Sequence, residues 1–268
     1  MTLRKFAFAP DEVYHVYTRG VEKRLIFLDP NDYFRFQLLL YVCNAEKGVP
    51  LSKTIRGIAH EMGITQSSLK HQQGTSPSQH PVLTREREAV AAGYDILERS
   101  DLMQIFSAER EAPMVDVLAY TLMPNHFHLV LKERAEGGVT QFMHKLTMAY
   151  AKHFNTKYQR VGSLFVRPFK AKHIDTDPYF MHIFWYVHLN PIELVTPRWK
   201  DRKIENDVKV QTFMHKYKWS SYYDYSVRER PERSILSLGE VPDFIRISDS
   251  LKDAIKQYRE TEYVEDQV

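Results

Sequence analysis

Apolar and polar positions alternate over some stretches of the chain and recur at helical spacing over others, and the two periods divide it into elements. Tyr14-His15-Val16-Tyr17-Thr18-Arg19-Gly20 alternates and is rich in β-branched and aromatic residues, which predicts a strand ending at a glycine turn. Asp29-Pro30-Asn31-Asp32 supplies a helix start with proline just inside it, and Phe34, Leu38, Tyr41 and Val42 carry the helix to about Asn44. Val115 to Tyr120 reads as a buried strand that runs into a corner at Pro124-Asn125, and His126 to Lys132 returns as its antiparallel partner. Thr140 is placed to cap a helix with the apolar face Phe142, Leu146, Ala149, Tyr150 and Phe154, ending near Tyr158. Ser163 to Ile174 is extended again, and Pro168 argues for an edge strand. Asp177-Pro178 opens a further helix, Tyr179 to Asn190, which Pro191 stops.

The returning strand carries the first candidate chemistry. Side chains at i and i+2 of a strand share a face, so His126 and His128 stand side by side, roughly 7 Å apart at Cα. Two imidazoles so placed can share one metal ion, while Phe127 and Leu129 point into the core. A His-x-His pair also arises by chance, so a nucleophile and a third ligand have to come from elsewhere. On the last of these helices, His182, Tyr186 and Asn190 are four apart and form one polar stripe. That stripe reads either as a functional face or as a core tyrosine with a satisfied hydroxyl and an asparagine closing the helix.

Between the first helix and the second strand, residues 45–113 behave as an insertion bounded by polar stretches. Within it, Ile55 to Leu69 has the spacing of a helix-turn-helix, with Ala59 four before Gly63, although plain helical hairpins share that spacing. Leu83 to Ala108 is expected to be helical. Beyond about residue 196 the chain reads as a small C-terminal extension, with an aromatic turn region at Lys216 to Tyr225, a last helix after Phe244 and an acidic tail.

Composition narrows the setting. The chain has 268 residues, enough for a sizeable core, and its single cysteine excludes an internal disulfide framework and suits a reducing cytosol. Signal-peptide and membrane-spanning patterns are absent from the sequence, so the expectation is a cytoplasmic protein without a membrane partner. The net charge of +3 is uninformative until mapped. From Gln141 to Ile174 there are seven Lys or Arg residues (Lys145, Lys152, Lys157, Arg160, Arg167, Lys170 and Lys172) and no acid, interleaved with Phe142, Tyr150, Phe154, Tyr158, Phe165 and Phe169. A basic stretch with aromatics points to a polyanionic partner.

Taken together, Tyr14-His15-Val16 with Arg19-Gly20, Leu122-Met123-Pro124-Asn125-His126-Phe127-His128-Leu129, Phe154-Asn155 to Phe165, Tyr186-Val187-His188-Leu189-Asn190-Pro191 and Trp219-Ser220-Ser221-Tyr222 resemble the single-tyrosine HUH transposases, most closely the REP-associated branch. The resemblance implies an α+β fold, a ferredoxin-like antiparallel sheet with helices on one face, formed by residues 10–44 and 115–195. A mostly helical insertion (45–114) and a C-terminal extension (196–268) would lie outside it. It implies His126, His128 and Asn190 as ligands of Mg²⁺ or Mn²⁺, and Tyr186 as a nucleophile that forms a 5′-phosphotyrosine link with single-stranded DNA folded into a hairpin. Arg19, Lys145, Lys152, Tyr158, Arg167, Lys170 and Lys172 are the candidate DNA contacts. Tyr150 and Tyr158 are rival nucleophiles by position. Family members work either as monomers in cis or as homodimers that exchange the tyrosine helix. Two other readings remain open: a sequence-specific DNA-binding regulator without catalysis, and a metal-dependent phosphodiesterase that uses water.

Overall fold

The computed structural model describes residues 6–46, 103–200, 207–245, 247 and 250–261. The helix-turn-helix spacing at 55–69 and most of the expected helix at 83–108 lie outside the described residues. Four strands form one antiparallel sheet: β1 (Val13–Arg19), β2 (Val115–Met123), β3 (His126–Glu133) and β4 (Lys170–Ile174), in the order β2-β3-β1-β4. With α1 (Pro30–Val42) between β1 and β2, and α2 (Gly138–Lys157) between β3 and β4, the order is βαββαβ, the ferredoxin-like arrangement.

The period of two sorts the strand residues. Tyr14, Val16, Phe127, Leu129 and Leu131 pack with Phe34, Phe36 and Leu40 of α1 and with Phe142, Leu146 and Tyr150 of α2 in one buried core. Full burial of each such side chain is worth roughly 1.5–3 kcal/mol. The two helices are also tied end to end. Asp29 and Asp32 form a capping box at the start of α1. Lys157 and Tyr158, at the end of α2, bond the Asp32 carboxylate at 2.8 and 2.7 Å. Asn44 joins the end of α1 to the start of β2, donating to the Val115 carbonyl and accepting from the Met114 and Val115 amides.

Two local expectations are corrected. Thr140 does not cap α2: Gly137, left-handed at φ 75°, is the N-cap, and the buried Glu133 carboxylate accepts from the Gly137 and Val139 amides. A carboxylate reaching over from β3 satisfies the helix start in place of a local hydroxyl. The extended segment from Ser163 also becomes strand only at Lys170, because Leu164 to Val166 instead bonds the chain at Arg19 to Val21 beyond the end of β1.

Helices occupy both faces of the sheet, not one. α3 (Asp177–Leu189), started by Thr176 and followed by a 3₁₀ turn over Asn190–Leu194, covers β2 and β3 on the face opposite α1 and α2. A bulge between Val117 and Ala119 in β2 turns Leu118 and Ala119 together toward that side, where they join Val130 and the apolar positions of α3. The segment expected as a C-terminal extension is built into this second core. Val210 and Met214 of α4 (Asp207–Met214), Tyr222 of α5 (Tyr222–Ser226), and Leu251, Ala254 and Tyr258 of α6 (Leu251–Glu260) all pack there.

Candidate active site on the polar face of the sheet

Register partners on neighbouring strands share a face, so the sheet itself assembles a polar surface on the α3 side. β1 contributes His15, Tyr17 and Arg19; β3 contributes His128 opposite Tyr17 and His126 opposite Arg19. β4 adds Lys172 opposite His15 and Lys170 opposite Tyr17, both exposed. α3 then brings Tyr186 against the strand: its ring is perpendicular to that of His128 with centroids 5.4 Å apart, and lies 5.8 Å from His15. Asn190, one turn further on, closes α3 and is buried close enough to His126 to hydrogen-bond it. Tyr186 therefore stands beside the histidines of its own chain.

The imidazoles are held neutral. Burial pushes His126 down to about 4; the hydrogen bond from the Asn190 side opposes this, and the charges of Lys200 and Arg19 add to it. His128 is pushed well below the ordinary range, chiefly by burial and then by His15, His126 and Lys200. Burial, with the charge of Lys172, takes His15 down to about 3. Neutral imidazole is the form that offers a lone pair to a metal.

The orientations of the rings decide which lone pair is offered. Asn125, at the Pro-Asn corner, donates its amide N–H to the Lys23 carbonyl and turns its Oδ1 to His126 Nδ1 at 2.7 Å. An amide oxygen only accepts, so His126 carries its proton on Nδ1 and keeps its lone pair on Nε2. His128 Nδ1 is likewise engaged, hydrogen-bonded to His15 Nε2 at 2.8 Å within the buried interior. The rings of His126 and His128 lie 5.1 Å apart and perpendicular. Among the described residues no group of three His, Cys, Asp or Glu side chains could hold a metal, and the set expected from the resemblance is two imidazoles and one amide. That mixed set fits Mg²⁺ or Mn²⁺ held loosely.

The remaining sequence candidates fall in different places. Arg19, Lys170 and Lys172 are exposed on the histidine face. Lys145, Lys152 and Tyr158 belong to α2 and its end, across the sheet. Lys145 donates to the carbonyls of Ala45 and Glu46, both at 2.9 Å, and the Tyr158 hydroxyl sits between Asp29 and Asp32. Arg167 is exposed and donates to the Met148 sulfur. Of the rival tyrosines, Tyr150 is fully buried with its hydroxyl donating to the Ile26 carbonyl, and Tyr158 is spent on the capping box. Tyr17 is the other tyrosine in the site, stacked on His15 and His128. His182 stacks on Tyr258 in the second core.

Sequence reasoning missed three contributors. His15 and Asn125 stand in the motifs that carry the resemblance, but the sequence assigns neither of them a role. Lys200, whose ammonium lies 4.2 Å from the centre of the Tyr186 ring, has no local signal at all.

Residues 79–190 match a family model described as "Transposase IS200 like". No curated protein matches the chain. A solved structure described as "Structure of the REP associates tyrosine transposase bound to a REP hairpin" aligns over 92% of this chain and 95% of that one, with 10% identity and a TM-score of 0.40. The resemblance read from the motifs is borne out over the stretch that carries His126, His128, Tyr186 and Asn190: there the chain matches the IS200-like transposases.

Proposed function

We propose that the protein is a single-stranded DNA transposase that cuts and rejoins strands through Tyr186. The observation that carries this reading is the seating of the Tyr186 ring against His128, 5.4 Å between centroids, on a face where the imidazoles offer lone pairs. His126, His128 and Asn190 would hold a divalent ion, Mg²⁺ or Mn²⁺. Such an ion, when bound, polarises a phosphoryl oxygen and stabilises charge on the leaving oxygen.

The chain's own residues supply the rest. Tyr186 Oη attacks the phosphorus: the O–H bond of the phenol and the bond from phosphorus to the 3′-oxygen break, and a Tyr–O–P bond forms. The phenol proton passes to solvent water, and the 3′-oxygen leaves as a hydroxyl by taking one proton from the same solvent, so no net proton is gained or lost. The reverse step restores the strand, because the phosphotyrosine link keeps the energy of the phosphodiester. Phenol has an ordinary pKa near 10, so its deprotonation gains from a nearby cation, and the Lys200 ammonium over the ring serves that role. Arg19, Lys170 and Lys172, exposed on the same face, would bind backbone phosphates. Lys152 and Arg167 would extend that contact outside the histidine face, whereas Lys145 and Tyr158 have the structural engagements described above. A DNA hairpin is the substrate class, and the seating of Tyr186 in its own chain supports cleavage in cis. In this reading residues 10–44 and 115–195 form the catalytic domain and 45–114 an insertion.

Incubation with labelled single-stranded hairpin oligonucleotides and Mn²⁺, followed by a denaturing gel, tests the proposal. A covalent protein-DNA band that disappears in Tyr186→Phe and with EDTA is the expected result. Nicking that persists in Tyr186→Phe would make water the nucleophile and the protein a phosphodiesterase. Tight binding without adduct or nicking would indicate a regulator.

A further inference from the structure

The two histidines of β3 are oriented by different devices. For His126 the device is legible outright: the Asn125 amide oxygen can only accept, so the proton is on Nδ1 and the lone pair is on Nε2. For His128 the partner is another imidazole, His15 Nε2, at 2.8 Å, and one proton lies between the two nitrogens. If it belongs to His128, Nε2 of His128 is bare and available. If it belongs to His15, His128 must carry its proton on Nε2, where it blocks coordination.

His15 is well placed to settle this. It lies on β1, fully paired with β3 on one side and β4 on the other, so its backbone has no freedom to withdraw. Its ring lies edge to edge with that of His128, 5.0 Å between centroids with the planes 20° apart, and Tyr17 stacks on both. Among the described residues its own Nδ1 is buried without a hydrogen-bond partner, and in the tautomer that accepts from His128 this nitrogen carries the ring proton. Nor is His15 a ligand in waiting: its Nε2 is committed to His128.

We infer that His15 is a positioning residue that accepts the Nδ1–H of His128 and thereby presents His128 Nε2 to the divalent ion, as Asn125 does for His126. The inference rests on the assignment of His126, His128 and Asn190 as ligands. Metal-bound histidines ordinarily donate their second ring N–H to a carboxylate, carbonyl or water, and removing such a partner weakens metal affinity by about 10- to 100-fold. Here a neutral imidazole takes that place, so the hydrogen bond adds no negative charge to the site.

Two measurements on the full-length protein test it. Nitrogen-15 NMR of the metal-free wild type should show His128 as the tautomer protonated on Nδ1; protonation on Nε2 would overturn the inference without any variant. Mn²⁺ binding followed by electron paramagnetic resonance should weaken by about 10- to 100-fold in His15→Phe. It should recover most of that loss in His15→Gln, whose amide oxygen reaches the same position. Equal Mn²⁺ affinity in wild type and His15→Phe would overturn the inference while leaving the ligand assignment intact. Failure of the wild type to bind Mn²⁺ would instead remove the ligand assignment, and His15 would lose its role toward a metal with it.

Discussion

The two faces of one sheet do different work. On the α1 and α2 face the strands contribute mainly apolar and aromatic side chains, with Thr18 and the capping Glu133 as buried polar exceptions, and the core is closed from Tyr14 to Leu131. On the α3 face the surface is divided. Leu118, Ala119 and Val130 are packed under α3 and the C-terminal helices, while toward β1 and β4 the same face presents His15, Tyr17, Arg19, His126 and His128. A period of two lets one strand serve both: Phe127 and Leu129 anchor β3 from below, and His126 and His128 stand above on a backbone that packing has already fixed. The lesson is a separation of labour, with stability concentrated beneath the sheet and chemistry above it.

That separation can be broken from either side. Tyr186→Phe should lower adduct formation by on the order of 10⁴-fold or more, since the nucleophile is gone. Its urea midpoint should stay near wild type, because the half-buried ring remains. Phe142→Ala should behave in the opposite way. Phe142 is fully buried against the underside of the sheet, and its truncation should cost about 3–5 kcal/mol in urea unfolding. At temperatures where the variant is still folded, its adduct should form at close to the wild-type rate. Loss of chemistry in folded Phe142→Ala would show that the two faces are coupled.

How much of this was legible in the sequence follows the same division. The alternation at His126 to Leu129 gives both faces of β3 directly, and the four-residue stripe gives the facing of Tyr186 and Asn190. The failures are long-range. Glu133 replaces Thr140 at the start of α2 because a buried carboxylate from β3 reaches the helix amides, which no local capping pattern encodes. The second core was hidden because Met214, Tyr222 and Tyr258 lie far along the chain from the α3 side chains they meet. His15 looked like any inward or outward strand residue until the register placed it beside His128. Lys145 and Tyr158 shared a basic, aromatic stretch with Lys170 and Lys172, yet helix and strand carry them to opposite sides of the sheet.

Lys200 sharpens the comparison, since it acts on the polar face without belonging to the sheet. Lys200→Gln should slow adduct formation by about tenfold, a loss of ~1.4 kcal/mol of transition-state stabilisation. Lys200→Arg should recover most of that rate, and both exposed substitutions should leave the urea midpoint unchanged. An unchanged rate in Lys200→Gln would confine the chemistry to the strands and α3.

Acid should affect both faces, and more gradually. His153, half-buried on α2, is pushed down to about 4 by burial, and His188, buried in the second core and hydrogen-bonded to Ser221, to about 3. His15 and His126 are depressed in the same direction. An unfolded chain takes up protons on these imidazoles near pH 6.5, while the folded chain refuses them until pH 3–4. The unfolded state therefore binds more protons throughout that window, and stability should fall steadily as pH is lowered from 7 toward 4. The decline should be shallower in His188→Gln, which removes one of the titrating groups from the second core while keeping an amide able to reach Ser221. Thermal melts of the two proteins at half-unit pH intervals give the slopes, and identical slopes would mean that His188 already accepts a proton in the folded state.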